Sequence, residues 1–145
     1  MGRVIVGYDG SDPSKRALAW ALEHAALRGD EVILLTVIPS AVAKSSLLHM
    51  MPAGLDLPQN MGKTFEENAR IRLDEVMLEH GKNNVKMQGV VKQGDPANAF
   101  MDAVREFSAA SVIIGHKSFE YGEIQLGPIA ERLVKHMPAT VTVVR

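Results

Sequence analysis

No cysteine occurs in this chain. Disulfides, thiol nucleophiles and cysteine–zinc sites are therefore excluded, and the composition suits a reducing compartment. Charge of one sign is lacking too: 16 basic and 17 acidic residues leave a formal net charge of −1. Phosphate-backbone binding to DNA or RNA needs a basic face, and no run here supplies one, so nucleic acid is not an expected partner. No apolar stretch approaches the ~20 residues of a membrane span. Met1 leads almost at once into a strand, with no apolar leader and no small-residue cleavage site, and position 6 is Val6, where a myristoylation signal needs a hydroxyl. The expectation is a soluble cytoplasmic protein outside the membrane. A Walker phosphate loop and a Rossmann G-x-G-x-x-G are also missing.

What is present is an alternation of short apolar runs and amphipathic stretches. The 145 residues suit a single domain, 1–145. A domain of this size buries roughly 70% of its unfolded surface and needs no metal or disulfide to fold. Val4 to Tyr8 reads as a fully buried strand. Asp12 followed by Pro13 predicts a helix start, a carboxylate cap with proline at the first helical position. Leu18, Ala21, Leu22 and Ala25 form one apolar face, and Gly29 stops the helix. Glu31 to Ile38 is a second buried strand. Residues 39–62 form a long connection, rich in proline, glycine and methionine, of the length usually reserved for function or partial disorder. A lid or a partner surface is the functional reading of its Met-bearing part, 47–61.

The next helix is predicted over 63–80, with Phe65, Ala69, Leu73 and Val76 along one stripe and Gly81 ending it. Val85 to Val91 alternates like a half-exposed edge strand. Asp95-Pro96 repeats the cap-then-proline start, and Phe100, Ala103, Val104 and Phe107 mark the buried face that follows. Ser111 to Gly115 is a buried strand, 116–126 an irregular loop, Pro128 to His136 a helix and Thr140 to Val144 a last strand. The order β-α-β-loop-α-β-α-β-α-β predicts an α/β fold: a doubly wound five-stranded parallel sheet, order 3-2-1-4-5, with helices on both faces. Its switch point lies between the first and fourth strands, where such sheets bind ligands outside the strands' carboxyl ends. Tyr8, Asp9 and Gly10 stand on one side of that point and Gly115 to Ser118 on the other. The helix start after Gly127 adds unpaired N–H groups and a favourable dipole for an anion.

This layout resembles the universal stress protein family over essentially the whole chain. The resemblance is carried by Val6-Gly-Tyr-Asp-Gly-Ser11, Leu34-Leu-Thr-Val37-Ile-Pro, Gly94-Asp-Pro96 at the third helix start, Val112-Ile-Ile-Gly115, Gly127, Arg132-Leu-Val-Lys-His136 and Val141-Thr-Val-Val-Arg145. It implies an adenine nucleotide alpha hydrolase-like, Rossmann-like fold, and a homodimer paired through the last strand at Thr140, Val141, Thr142 and Val143. It also implies binding of ATP, or of AMP or ADP, with or without Mg²⁺.

The nucleotide contacts implied are Gly7, Tyr8, Asp9, Val37, Ile114, Gly115, His116, Lys117, Ser118, Gly127, Pro128 and Ile129. Asp9 would accept from a ribose hydroxyl or the adenine amino group, and is otherwise a turn former. Val37 would offer backbone groups to adenine, and is otherwise core. Gly115 would let a ligand approach closely. His116 is expected as a solvated loop histidine, with phosphate contact or proton transfer as the functional alternative. His24, His49, His80 and His136 lack metal-ligand spacing and read as structural or surface residues.

The ATP-binding branch of the family carries Gly-x2-Gly-x9-Gly-Ser/Thr after the fourth strand. Here Gly115 keeps the first position, Ser118 replaces the second glycine, Gly127 comes one residue early and Pro128 stands in the hydroxyl position. His116-Lys117 resembles a shortened variant of that loop. Pro128 has neither an N–H nor a hydroxyl, and Ser118 enters positive φ less freely than glycine. Each hydrogen bond lost to a charged group is worth roughly 1.5–3 kcal/mol, or about tenfold or more in affinity. Lys117 offers a point charge in return. The expected outcome is binding weakened, or retuned toward fewer phosphates, rather than abolished.

Two functions follow. The first is a regulatory or stress-response homodimer that binds an adenine nucleotide, with no enzyme activity beyond slow ATP hydrolysis, since no positioned base, nucleophile or complete Mg²⁺ carboxylate pair is visible. The second is a dimeric interaction or signalling module of the same fold that has given up nucleotide. A receiver domain would need an aspartate after the third strand, where Val90-Val-Lys-Gln-Gly94 has none. A flavin site would need a hydroxyl-rich loop in place of Asp9-Gly-Ser-Asp-Pro13.

Overall fold

A computed structural model describes residues 2–38, 61–116 and 128–145. The chain runs β1 (Arg3–Gly7), α1 (Asp12–Arg28), β2 (Glu31–Ile38), α2 (Met61–Glu79), β3 (Met87–Gln93), α3 (Pro96–Phe107), β4 (Ser111–Gly115), α4 (Pro128–His136) and β5 (Thr140–Val144). The five strands form one parallel sheet in the order β3-β2-β1-β4-β5, the predicted winding. The strands expected at the edges, β3 and β5, are at the edges. The connection at 39–60 and His49 within it lie outside the described residues, as do Lys117, Ser118 and Gly127.

Strand side chains alternate between the two faces, and both faces are covered. Val4 and Val6 of β1, Tyr8 just beyond it, Val32 and Leu34 of β2 and Ile113 of β4 pack with Leu18, Leu22 and Leu73 of α1 and α2. Ile5, Ile33, Leu35, Val112 and Ile114 point the other way, onto Phe100, Val104 and Leu133 of α3 and α4. Burial on both faces is why the central strands read as continuous apolar runs. On β3, Met87 and Val91 pack on the first core and Val90 on the second, as the alternation predicted.

Four local expectations shift. Ser11, not Asp12, caps α1: its extended backbone (φ −71°, ψ 160°) lets the side chain accept from Ser14 N at 3.4 Å. Asp12 becomes the first helical residue, where a carboxylate still favours the dipole. Ladder pairing from Val32↔Met87 to Ile38↔Gln93 moves β3 two residues later than the alternation suggested. The second helix spans 61–79 rather than 63–80. Its buried stripe begins at Ala69, and Phe65 is exposed. Arg72, seven residues further on, already reaches the Asp9 carbonyl at the end of β1, so Phe65 lies past the cover of the sheet.

Gly29 ends α1 in the left-handed region (φ 71°), as expected, while α3 ends on Ser108 with φ 50°. Asp95 caps α3, accepting from Asn98 N at 3.0 Å. The same carboxylate takes Arg132 Nη1 of α4 at 3.0 Å on each oxygen, which ties the two helices of the second face together.

Candidate functional site at the switch point

β1 and β4 lie side by side, paired from Val4↔Ser111 to Val6↔Ile113. From their carboxyl ends the chain leaves to opposite faces, into α1 on one side and toward α4 on the other. In sheets wound this way, connections that part at this point leave a crevice for a ligand above the two strands. Gly7, Tyr8 and Asp9 reach it from β1, Ile114, Gly115 and His116 from β4, and Val37 stands near the end of neighbouring β2. The sequence-predicted contacts in these three segments therefore share one end of the sheet.

Asp9 shapes the turn. Its Oδ1 accepts from Ser11 N at 2.9 Å and its own N–H donates to Ser14 Oγ at 3.4 Å. The carboxylate is nonetheless exposed at the strand's end, so the turn-forming and ligand-facing readings coexist. Gly10 completes the turn with φ +83°, a conformation that favours glycine.

Tyr8 contributes backbone rather than ring. The side chain is buried in the first core. Its N–H donates to Leu35 O at 2.9 Å, and its carbonyl accepts Thr36 Oγ1 at 2.6 Å. Burial pushes the phenol up from its ordinary value; the carboxylates of Glu79 and Asp9 add to this and the Arg72 guanidinium opposes it.

Two glycines have packing reasons that sequence alone did not reveal. A Cβ on Gly7 would stand 2.7 Å from Phe100 Cζ. On Gly115 it would meet the backbone carbonyl of Pro13, with Pro13 Cβ at 2.8 Å. The first turn of α1 is thus pressed onto the end of β4. Ile114 is buried in the second core and Val37 packs at its margin.

His116 is not the solvated residue expected. It is buried, at 8% exposure. Its backbone adds a rung to the β4–β5 ladder: His116 N donates to Val144 O at 2.7 Å. Pro128 and Ile129 open α4 and are exposed. His24 stacks on Trp20 with ring centroids 3.7 Å apart, a structural role.

Two residues that sequence reading passed over also reach this end of the sheet. Arg16 of α1 donates from Nη2 to the His116 carbonyl at 3.3 Å, and Arg72 of α2 donates from Nη1 to the Asp9 carbonyl at 3.0 Å. Both are exposed arginines on helices, and nothing in their spacing marks them; only the fold brings them here. The donor set, two guanidinium groups, a carboxylate and strand-end backbone, suits an anion carrying hydroxyl groups. Among the described residues no group of three or more His, Asp or Glu could hold a metal ion.

A second cleft, of about 550 Å³, lies at the opposite ends of the strands, lined in part by Arg3, Asp30, Glu31 and Lys86. Its charges serve one another. Gly2 N donates to Asp30 at 2.7 Å, Arg28 pairs with Asp30 at 3.3 Å and Arg3 with Glu31 at 3.2 Å. It fastens the start of β1 to the turn before β2.

A family model described as the universal stress protein family matches residues 1–145. Universal stress protein Sll1388 of Synechocystis sp. is 22% identical, over 99% of this chain and 97% of its own length. Among solved structures, hypothetical protein MJ0577 superposes with a TM-score of 0.79 at 22% identity, covering 99% of this chain and 94% of its own. A universal stress protein family member from Arabidopsis thaliana with AMP bound gives a TM-score of 0.64 at 17% identity, covering 99% and 91%. At such identities the structural likeness carries the fold.

Proposed function

The chain belongs to the universal stress protein family, and from that premise we propose that it is a cytoplasmic homodimer that binds an adenine nucleotide for regulation. Bound nucleotide biases conformation or partner binding and is not a substrate for fast chemistry. The observation that carries this reading is the convergence at the switch point of the exposed Asp9 carboxylate with the ends of β2 and β4. The AMP-bound Arabidopsis structure of the same fold supports it. Asp9 and the backbone near Val37 would take the ribose and adenine. Gly7, Tyr8, Ile114, Gly115 and His116 would form the crevice floor by their backbone, and Lys117, Ser118, Gly127, Pro128 and Ile129 would border the phosphates. Pro128 offers no N–H at the first position of α4, which favours AMP or ADP over ATP.

Dimerisation is proposed through β5. Thr140 to Val144 pairs with β4 on one side only, and a β-branched strand left at an edge is suited to pair with another chain.

The test is mass spectrometry of nucleotide released from purified protein, followed by titration with AMP, ADP and ATP. Absence of co-purifying nucleotide together with absence of binding at millimolar concentration would defeat the nucleotide reading. One observation favours the alternative, a nucleotide-free interaction module: Gly7 and Gly115 are explained by Phe100 and Pro13 without any ligand. Pro128→Ser separates the two. It restores an N–H and a hydroxyl and should tighten ATP binding about tenfold; unchanged affinity counts against the donor-loss account.

A further inference from the structure

Four arginines, Arg3, Arg28, Arg105 and Arg132, each lie within 3.7 Å of a carboxylate. Arg70 and Arg72 donate instead to the carbonyls of Gly89 and Asp9. Arg16 belongs with these two. Among the described residues its guanidinium is paired with no carboxylate, and its one hydrogen bond goes to a neutral acceptor, the His116 carbonyl. That carbonyl belongs to the first residue beyond β4, where the chain turns toward α4. The contact spans 100 residues of sequence.

The position is fixed from below. Pro13 of the same helix fills the space beside Gly115 that a side chain would need, so the first turn of α1 lies directly against β4. Arg16, three residues further on, is carried to the mouth of the crevice by backbone packing. A guanidinium presents five N–H donors in a plane, and one of them is used here. The remainder form a charged fork of the kind that matches phosphate oxygens. Arg72 is placed differently: its stem lies over Gly10, with Cδ 3.2 Å from where a Cβ would be, at the turn beside Asp9.

We propose that Arg16 is the phosphate-recognising cation of the switch-point crevice, the residue whose contribution to affinity grows with phosphate number. The inference rests on the adenine-nucleotide reading above and assigns its anion contact to α1. Arg16 stands in for donors that Pro128 does not supply.

The experiment is calorimetric titration of the purified chain with ATP, AMP, adenosine and inorganic tripolyphosphate, for the unmodified protein, Arg16→Gln and Arg16→Lys. Arg16→Gln should weaken ATP and tripolyphosphate by about tenfold or more, AMP by less, and adenosine by under twofold. Arg16→Lys should recover part of the loss, because it keeps the charge and loses the fork. The salt dependence of ATP binding should become shallower in Arg16→Gln. Equal losses for adenosine and ATP would mean that Arg16 only positions the loop, and would overturn the assignment, as would unchanged ATP affinity. If the unmodified protein binds none of the four ligands, the nucleotide reading falls with it. If nucleotides bind equally well to Arg16→Gln, the assignment alone falls.

Discussion

Pro13 occupies the space that a side chain on Gly115 would need, with its Cβ 2.8 Å from the position of a Gly115 Cβ and its carbonyl closer still. Gly115→Ala therefore forces backbone against backbone, where no rotamer change relieves the clash. Overpacking of this kind costs about 1–3 kcal/mol, and the upper end applies here because the obstacle is main chain. Thermal unfolding should shift down by several degrees. Gly94→Ala is the useful contrast. A Cβ there meets nothing within 4 Å, so any loss comes only from its φ of +126°. A Gly115→Ala protein as stable as the parent would refute the close packing of α1 on β4.

The start of α1 yields a prediction that separates two adjacent residues. Ser11 supplies the capping oxygen and Asp12 does not. Ser11→Ala should cost about 1 kcal/mol. Asp12→Ala should cost only the few tenths expected of a carboxylate near a helix N-terminus. Urea unfolding of both variants checks the order. The reverse order would return the cap to Asp12.

The two starts of α1 and α3 show where sequence reading held and where it slipped. Asp95-Pro96 was legible as a cap because Ser, Asp and Asn compete for one position and only Asp95 precedes that proline. In Ser11-Asp12-Pro13 two good caps stand in line, and the choice between them depends on backbone angles that composition does not encode. The sheet order was legible for a stronger reason: β1, β2 and β4 are apolar throughout, while β3 alternates, and burial on two faces admits few arrangements. His116 was misjudged because its burial and its bond to Val144 arise only in the folded sheet. Arg16 and Arg72 were invisible for the same reason, since an exposed arginine on a helix looks alike wherever the fold later carries it.

The clamp between α3 and α4 predicts an acid response. The N–H of Asn98, and then the guanidinium of Arg132, hold the Asp95 carboxyl below its ordinary value of 3.8. A carboxyl whose folded pKa is depressed stabilises the fold above its unfolded value, and that contribution disappears as pH falls through the folded value. Stability should therefore decline below pH 3.8 in part through Asp95. Asp95→Asn keeps a capping side chain but cannot titrate, so its stability should fall less steeply in that range. Urea unfolding from pH 6 down to about pH 2.5 makes the comparison. Parallel declines in the two proteins would show that Asp95 is not linked to folding.

At the other end of the pH scale, Tyr8 should report on the crevice. Its phenol is raised above 10.0, chiefly by burial, then by Glu79, while Arg72 opposes the shift. Removing that guanidinium in Arg72→Met should raise the phenol further. Ultraviolet difference absorbance of phenolate reads this directly in a Tyr121→Phe background, since the chain has 2 tyrosines. The sign for folding follows from linkage. A group whose folded pKa is raised contributes stability that is complete below the unfolded value, about 10.0, and is lost as pH rises through the folded one. Tyr8→Phe should remove that alkaline loss while leaving the ring in the core, and the difference between the two proteins should grow as pH passes 10.0. A Tyr8 titration that does not move in Arg72→Met would place the guanidinium farther from the phenol than its bond to the Asp9 carbonyl, 3.0 Å long, implies.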